Sequence, residues 1–130
     1  MGPHVVDDAA VLDGADKVDI EKRLSSIEAR THRRAIVVTL PSLQGHKIEE
    51  VTEVVGNRLG MTDGVLLLLA PHEREVHIAI GRGAAKLVTN GEARKIINET
   101  MYPDLHANRF GPAVRKGAAR IAAELSETMI

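Results

Sequence analysis

Gly64-Val-Leu-Leu-Leu-Leu-Ala70, followed after Pro71-His-Glu-Arg74 by Glu75-Val-His-Ile-Ala-Ile80, is the stretch that decides the fold. A continuous apolar run of this length, bounded by Gly and Pro, predicts a strand covered on both faces and therefore central in a sheet. The second run alternates, with Val76, Ile78 and Ile80 on one side, as a half-covered strand does. The linker between them is short enough for a hairpin.

Upstream of this pair, Ala35 to Leu40 is a β-branched run ended by Pro41, which cannot donate a ladder hydrogen bond, and it predicts another strand covered on both faces. Between the two apolar strands, Ile48, Val51, Val55 and Leu59 fall on one helical stripe with Glu49, Glu50 and Glu53 off it, and Gly60 supplies the stop. Strand, helix, strand implies parallel pairing with a right-handed crossover. Asp13-Gly-Ala-Asp16 has the form of a capping box ahead of Ile20, Leu24 and Ile27, predicting a helix from about 14 to 31. Downstream, Thr89-Asn-Gly-Glu92 is a second capping box. It opens a helix carrying Ala93, Ile96, Ile97 and Met101 that should end near Pro103. Phe110, Val114, Ala118, Ile121 and Leu125 trace a last helix, with Arg109, Arg115, Lys116 and Arg120 away from the stripe, as on a solvated face. The order is extended start, α, β, α, β, β, α, α. It predicts an α/β fold, a three-layer αβα sandwich around a small mixed β-sheet, with residues 1–130 forming one domain.

Composition narrows the function classes. The 130 residues are 44% hydrophobic and 27% charged, which is ordinary for a globular chain, and a formal charge of -1 offers no general attraction to nucleic acid. One Tyr, one Phe and no Trp leave almost nothing to stack on a base or a flat cofactor. The absence of cysteine removes disulfides, zinc thiolates and a thiol nucleophile together. The longest apolar run is far below the roughly 20 residues that span a bilayer. Met1-Gly2-Pro3-His4 has neither the basic residues nor the apolar region of a signal peptide, and Val6 stands where a myristoylation motif wants Ser or Thr.

Candidate chemistry is sparse. Six histidines show no His-x-His or His-Glu-x-x-His spacing, so a histidine metal site has little support. Gly81-Arg-Gly83 lacks the Gly-Lys-Ser/Thr of a phosphate loop and reads as a positive-φ exit from the hairpin. Serines 25, 26, 42 and 126 have no nucleophile-elbow context.

Taken in order, Val5-Val-Asp7-Asp-Ala9 with Leu12, Ile27-Glu28 with Thr31, Val37-Val-Thr-x-Pro41-Ser-Leu-x-Gly45, Gly56-Asn-Arg58-Leu-Gly60, Gly64-Val-Leu-Leu-Leu-x-Ala-Pro71 and Gly81-x-Gly83 resemble the TPM domain family from about residue 5 to 125. That family is known from a thylakoid-lumen protein, a photosystem repair factor, a receptor modulator and many bacterial envelope proteins. The resemblance implies an αβα sandwich that is exported or envelope-associated, although the chain itself shows no signal peptide or transmembrane segment. It also implies, for some members, divalent-cation binding and a weak acid phosphatase activity.

Carried over by position, Asp7 matches the family's opening acid and Asp63 its acidic loop before the central strand, here cut to Met61-Thr-Asp63-Gly64. Where members commonly read Gly-Tyr-Gly-Leu-Glu and Leu-Thr-Asp, this chain has Gly81-Arg-Gly-Ala-Ala85 and Val88-Thr-Asn90. A Ca²⁺ or Mg²⁺ held by Asp7, Asp63 and Asn90 would therefore be weakly bound, because an amide carbonyl brings no charge. Antiparallel pairing of the hairpin should place Asp63 and Arg82 at one sheet edge with Asn90 close behind. Arg82 with the helix start at Gly91 and Glu92 would then favour an anion. The expected function is a non-enzymatic auxiliary or interaction domain of the bacterial cell envelope, serving a protein or membrane-associated partner. The alternatives are a weak divalent-metal-assisted acid phosphatase and a cation-binding structural module.

Overall fold

The computed structural model describes residues 3–61 and 63–126, so Met1 and Gly2 of the opening segment lie outside it. Strand β1 (Val5–Asp7) leads to helix α1 (Gly14–Thr31), β2 (Ala35–Thr39), α2 (Ile48–Leu59) and the hairpin β3 (Val65–Ala70) and β4 (Glu75–Ile80). A short 3₁₀ turn over Arg82–Ala84 precedes α3 (Asn90–Lys95), a π-helical stretch (Ile96–Met101), α4 (Tyr102–His106) and α5 (Phe110–Leu125). The sheet order is β1-β2-β3-β4. β1 and β3 each pair with β2 in parallel, and β4 closes the sheet antiparallel to β3.

All six residues of β3 and all five of β2 are buried, because both sheet faces are covered. Val37, Leu67 and Ile78 share a core with Ile20, Leu24 and Ile27 of α1 and Val114, Ala118 and Ile121 of α5. Ile36, Val38, Leu66 and Leu68 form a second core under Ile48 of α2. The result is an αβα sandwich with α2 on one face and α1 and α5 on the other.

Local signals set the element ends. Asp13 caps α1 by accepting from the Asp16 N–H at 2.7 Å. Thr89 and Glu92 exchange both bonds of a capping box at α3. Pro103, by contrast, does not end the helical run, which continues to His106. The Tyr102 N–H reaches back to the Ile97 carbonyl, a π-type bond, and this wider turn admits a proline in the first turn of α4.

Helix α2 is rotated from the expected stripe. Ile48 and Thr52 are its buried residues, and Gly56 lies on the same line, where an added Cβ would touch Leu66 at 3.7 Å. Small side chains bring the helix down onto the sheet, which moves Val51 and Val55 to its flank and leaves Val54 52% exposed and Leu59 36% exposed.

Candidate functional site

The loop before β3 and the turn after β4 meet at the edge where β3 begins. Gly81 donates to the Gly64 carbonyl at 2.7 Å, closing the hairpin's open end. The Asp63 carboxylate lies directly on Gly83, where an added Cβ would come within 2.7 Å of Oδ1, so a residue with no side chain is required there. Arg82 is exposed beside it, and among the described residues no ion pair joins the two. Thr89 and Asn90 line a shallow depression of about 310 Å³ with Ile80, Ala85 and Val88, so the start of α3 flanks the same end of β4.

The donors at that helix start are partly committed. The Glu92 N–H is donated to Thr89 Oγ1 at 3.1 Å, while Glu92 Oε1 accepts from the Thr89 N–H at 3.2 Å. The Thr89 N–H, and after it a side-chain contact with Glu124, hold the Glu92 carboxyl below its ordinary range. Glu92 therefore opposes an anion rather than holding one, and Gly91 and Arg82 are the remaining donors of the expected anion set.

Asp7 is at the other end of the sheet. It pairs in register with Thr39 and through it with Leu69, six residues further along the strand direction than Asp63, or about 20 Å. Its carboxylate is also spent locally. Oδ1 accepts from the Val11 N–H at 3.1 Å and the Thr39 hydroxyl at 2.6 Å, and Oδ2 from the Leu12 N–H at 3.0 Å. Asp7 thus organises the turn from β1 into α1. Asp7, Asp63 and Asn90 cannot share one ion, and among the described residues no group of three His, Asp or Glu is placed to hold a metal. The donor set does not fit a resident Ca²⁺ or Mg²⁺.

The basic residues of α5 are neither a free patch nor a merely solvated face. Arg115 donates to the buried Asp16 at 3.0 Å, and Arg109 and Lys116 converge on the buried Asp104 at 2.9 and 2.7 Å. Arg120 reaches the Thr100 hydroxyl at 3.1 Å. The Lys116 contact first and the Arg109 contact second hold the Asp104 carboxyl below its usual range. A depressed folded value stabilises the fold above the unfolded carboxyl value of about 3.9 and is lost as pH falls through the folded value. Asp104→Asn should accordingly be less stable than the parent at neutral pH, with the difference closing below about pH 4, as read by urea denaturation across pH. A difference that stays constant to the acid end would show that the carboxylate charge is irrelevant there.

The family model of the TPM domain matches residues 5–124. The chain belongs to the TPM domain family. Three solved bacterial structures share the fold of this TPM domain. The N-terminal domain of a P. gingivalis protein has TM-score 0.85 and 25% identity over 95% of this chain and 82% of that one. The N-terminal domain of a Corynebacterium glutamicum protein has TM-score 0.76 and 20% identity over 97% and 83%. A protein from the psychrophilic bacterium Bizionia argentinensis has TM-score 0.72 and 17% identity over 88% and 81%. No curated protein sequence matches this TPM domain.

Two features of the TPM domain were not legible as sites in its sequence. His4, 4% exposed, is held between Glu21 and Glu28 of α1, each carboxylate 2.6 Å from a different ring nitrogen. The outer flank of α2 presents a depression of about 300 Å³ lined by His46, Glu50, Val51, Val54 and Val55. The heptad spacing of Glu21 and Glu28 was the available signal for the first. For the second it was the third valine, Val54, off the expected stripe.

Proposed function

We propose that this TPM domain is a non-enzymatic docking domain of the bacterial cell envelope, and that the outer flank of α2 receives a protein partner. The observation that carries this reading is Val54, 52% exposed on a helix that already buries a separate line of residues against the sheet. Its neighbours Val51 and Val55 extend the apolar area, and the polar residues around it supply a rim. A membrane surface is the weaker occupant. Helices that lie in a lipid interface are rich in Lys and Arg, whereas α2 carries Glu49, Glu50 and Glu53 against Arg58. The bacterial origin of the structural relatives, two of which are N-terminal domains of larger proteins, supports an attached, partner-binding role.

Solvent mapping by NMR with a small alcohol tests the docking surface. The alcohol should gather on the amides of His46, Glu50, Val51, Val54 and Val55; accumulation at the Asp63 edge with none on α2 would remove this reading. Turnover of a generic phosphate ester at acid pH should stay at background. A Mg²⁺- or Ca²⁺-dependent rate that disappears in Asp63→Asn would instead establish metal-assisted hydrolysis. Phosphate added to the same sample should shift Arg82 and Gly91 only weakly, on the order of millimolar, because Asp63 and Glu92 repel it.

A further inference from the structure

We infer that the partner seated on α2 is a second copy of the chain, with the two α2 helices packed antiparallel about a twofold axis at Val54. This rests on the docking reading and names its occupant. Glu50 lies one turn before Val54 and Arg58 one turn after it, on the same line of the helix. Both are exposed, and among the described residues neither makes an ion pair.

An antiparallel copy centred on Val54 brings Glu50 opposite Arg58 of the second chain, and the symmetry repeats the pair. A twofold contact demands a patch complementary to itself, and this arrangement of one acid, one valine and one base satisfies that demand. A parallel arrangement would instead put Glu50 against Glu50 and Glu53 against Glu53, which like-charge repulsion disfavours. In the antiparallel arrangement Val54 of each copy meets Val54 of the other, beside the depression lined by Val51 and Val55.

The contact is small. Twelve residues of helix are about 18 Å long, and one stripe of that length falls short of the roughly 1,600 Å² of a standard interface. The association is therefore weak, with a dissociation constant on the order of 100 µM to 1 mM.

Sedimentation velocity and ¹⁵N relaxation across about 50 µM to 2 mM measure it, that range bracketing the expected constant. The rotational correlation time should rise with concentration toward about twice the monomer value, since the dimer has twice the volume. Glu50→Arg and Arg58→Glu should each weaken association about tenfold, because each leaves two like-charged pairs, and Val54→Asp should abolish it. The combined Glu50→Arg, Arg58→Glu chain should recover the parent behaviour. That recovery has an intermolecular explanation alone, because the two positions are about 12 Å apart along one helix.

A parent chain that stays monomeric throughout overturns the inference, as does a dimer indifferent to the single reversals or one not restored by the double reversal. Alcohol gathered on α2 of a chain that stays monomeric would retain the docking surface and remove the second copy as its occupant. Absence of both would remove the two readings together.

Discussion

Leu67→Ala should cost about 2 to 5 kcal/mol in urea denaturation, the range for emptying a fully buried leucine site. Leu67 is 1% exposed and lies between Val37 of β2 and Ile78 of β4 in the sheet register. Its side chain enters the core shared with α1 and α5. Domains of this kind have total stabilities of roughly 5 to 15 kcal/mol, so the loss is a substantial part of the whole. Val54→Ala is the control on the other side of the sheet. Half exposed and off the buried line of α2, it should change stability by no more than about 0.5 kcal/mol. A Leu67→Ala cost below that of Val54→Ala would mean that β3 is not the packed centre of the sheet.

The contrast between these two positions also marks how far the sequence was legible. An unbroken run of apolar residues in β3 has one economical explanation, a strand covered twice, and the structure buries all six. The capping box at Thr89 was equally readable, because the chemistry of a helix start is local, whereas at Asp13 only the cap itself forms and the Asp16 carboxylate turns to Arg115 instead. Helix α2 was harder. Its period placed Val51, Val55 and Leu59 on one stripe with Ile48, but the helix settles on Thr52 and Gly56, whose small size permits close approach to Leu66. Periodicity records where apolar groups recur and carries no information on how near the sheet stands. The candidate site divides in the same way. The neighbourhood of Asp63 and Arg82 followed from hairpin geometry, and Asp63 does lie on the adjacent Gly83. Asp7 failed to join it because a parallel sheet separates the end of β1 from the start of β3 by the length of a strand.

His4→Ala should cost about 2 to 3 kcal/mol and loosen β1 before any other strand. The His4 side chain is buried, with Nδ1 2.6 Å from Glu21 Oε2 and Nε2 2.6 Å from Glu28 Oε1. Each ring nitrogen meets one carboxylate, so the single buried ring engages both acids of α1 at once. The backbone strengthens the same clasp, since the His4 N–H donates to Glu21 Oε1 at 2.7 Å and its carbonyl accepts from the Val37 N–H at 2.8 Å. Removing the ring leaves the largely buried Glu28 carboxyl without its partner, which costs more than losing an exposed contact. Glu21 is 39% exposed and recovers water, which keeps the total below the 3 to 5 kcal/mol of a wholly buried break. β1 has three residues and pairs with β2 alone, so the clasp at its start and the Asp7–Thr39 contact at its end are the side-chain bonds that retain it. Hydrogen exchange should therefore quicken at Val37 and Asp8, whose N–H groups bond across the β1–β2 junction, while the amides joining β3 to β4 keep their protection. Pairing His4→Ala with Glu28→Gln should cost less than the two changes added together, because the two side chains are each other's partners and the contact is lost only once. Full additivity, with unchanged exchange at Val37, would show that the clasp does not hold β1.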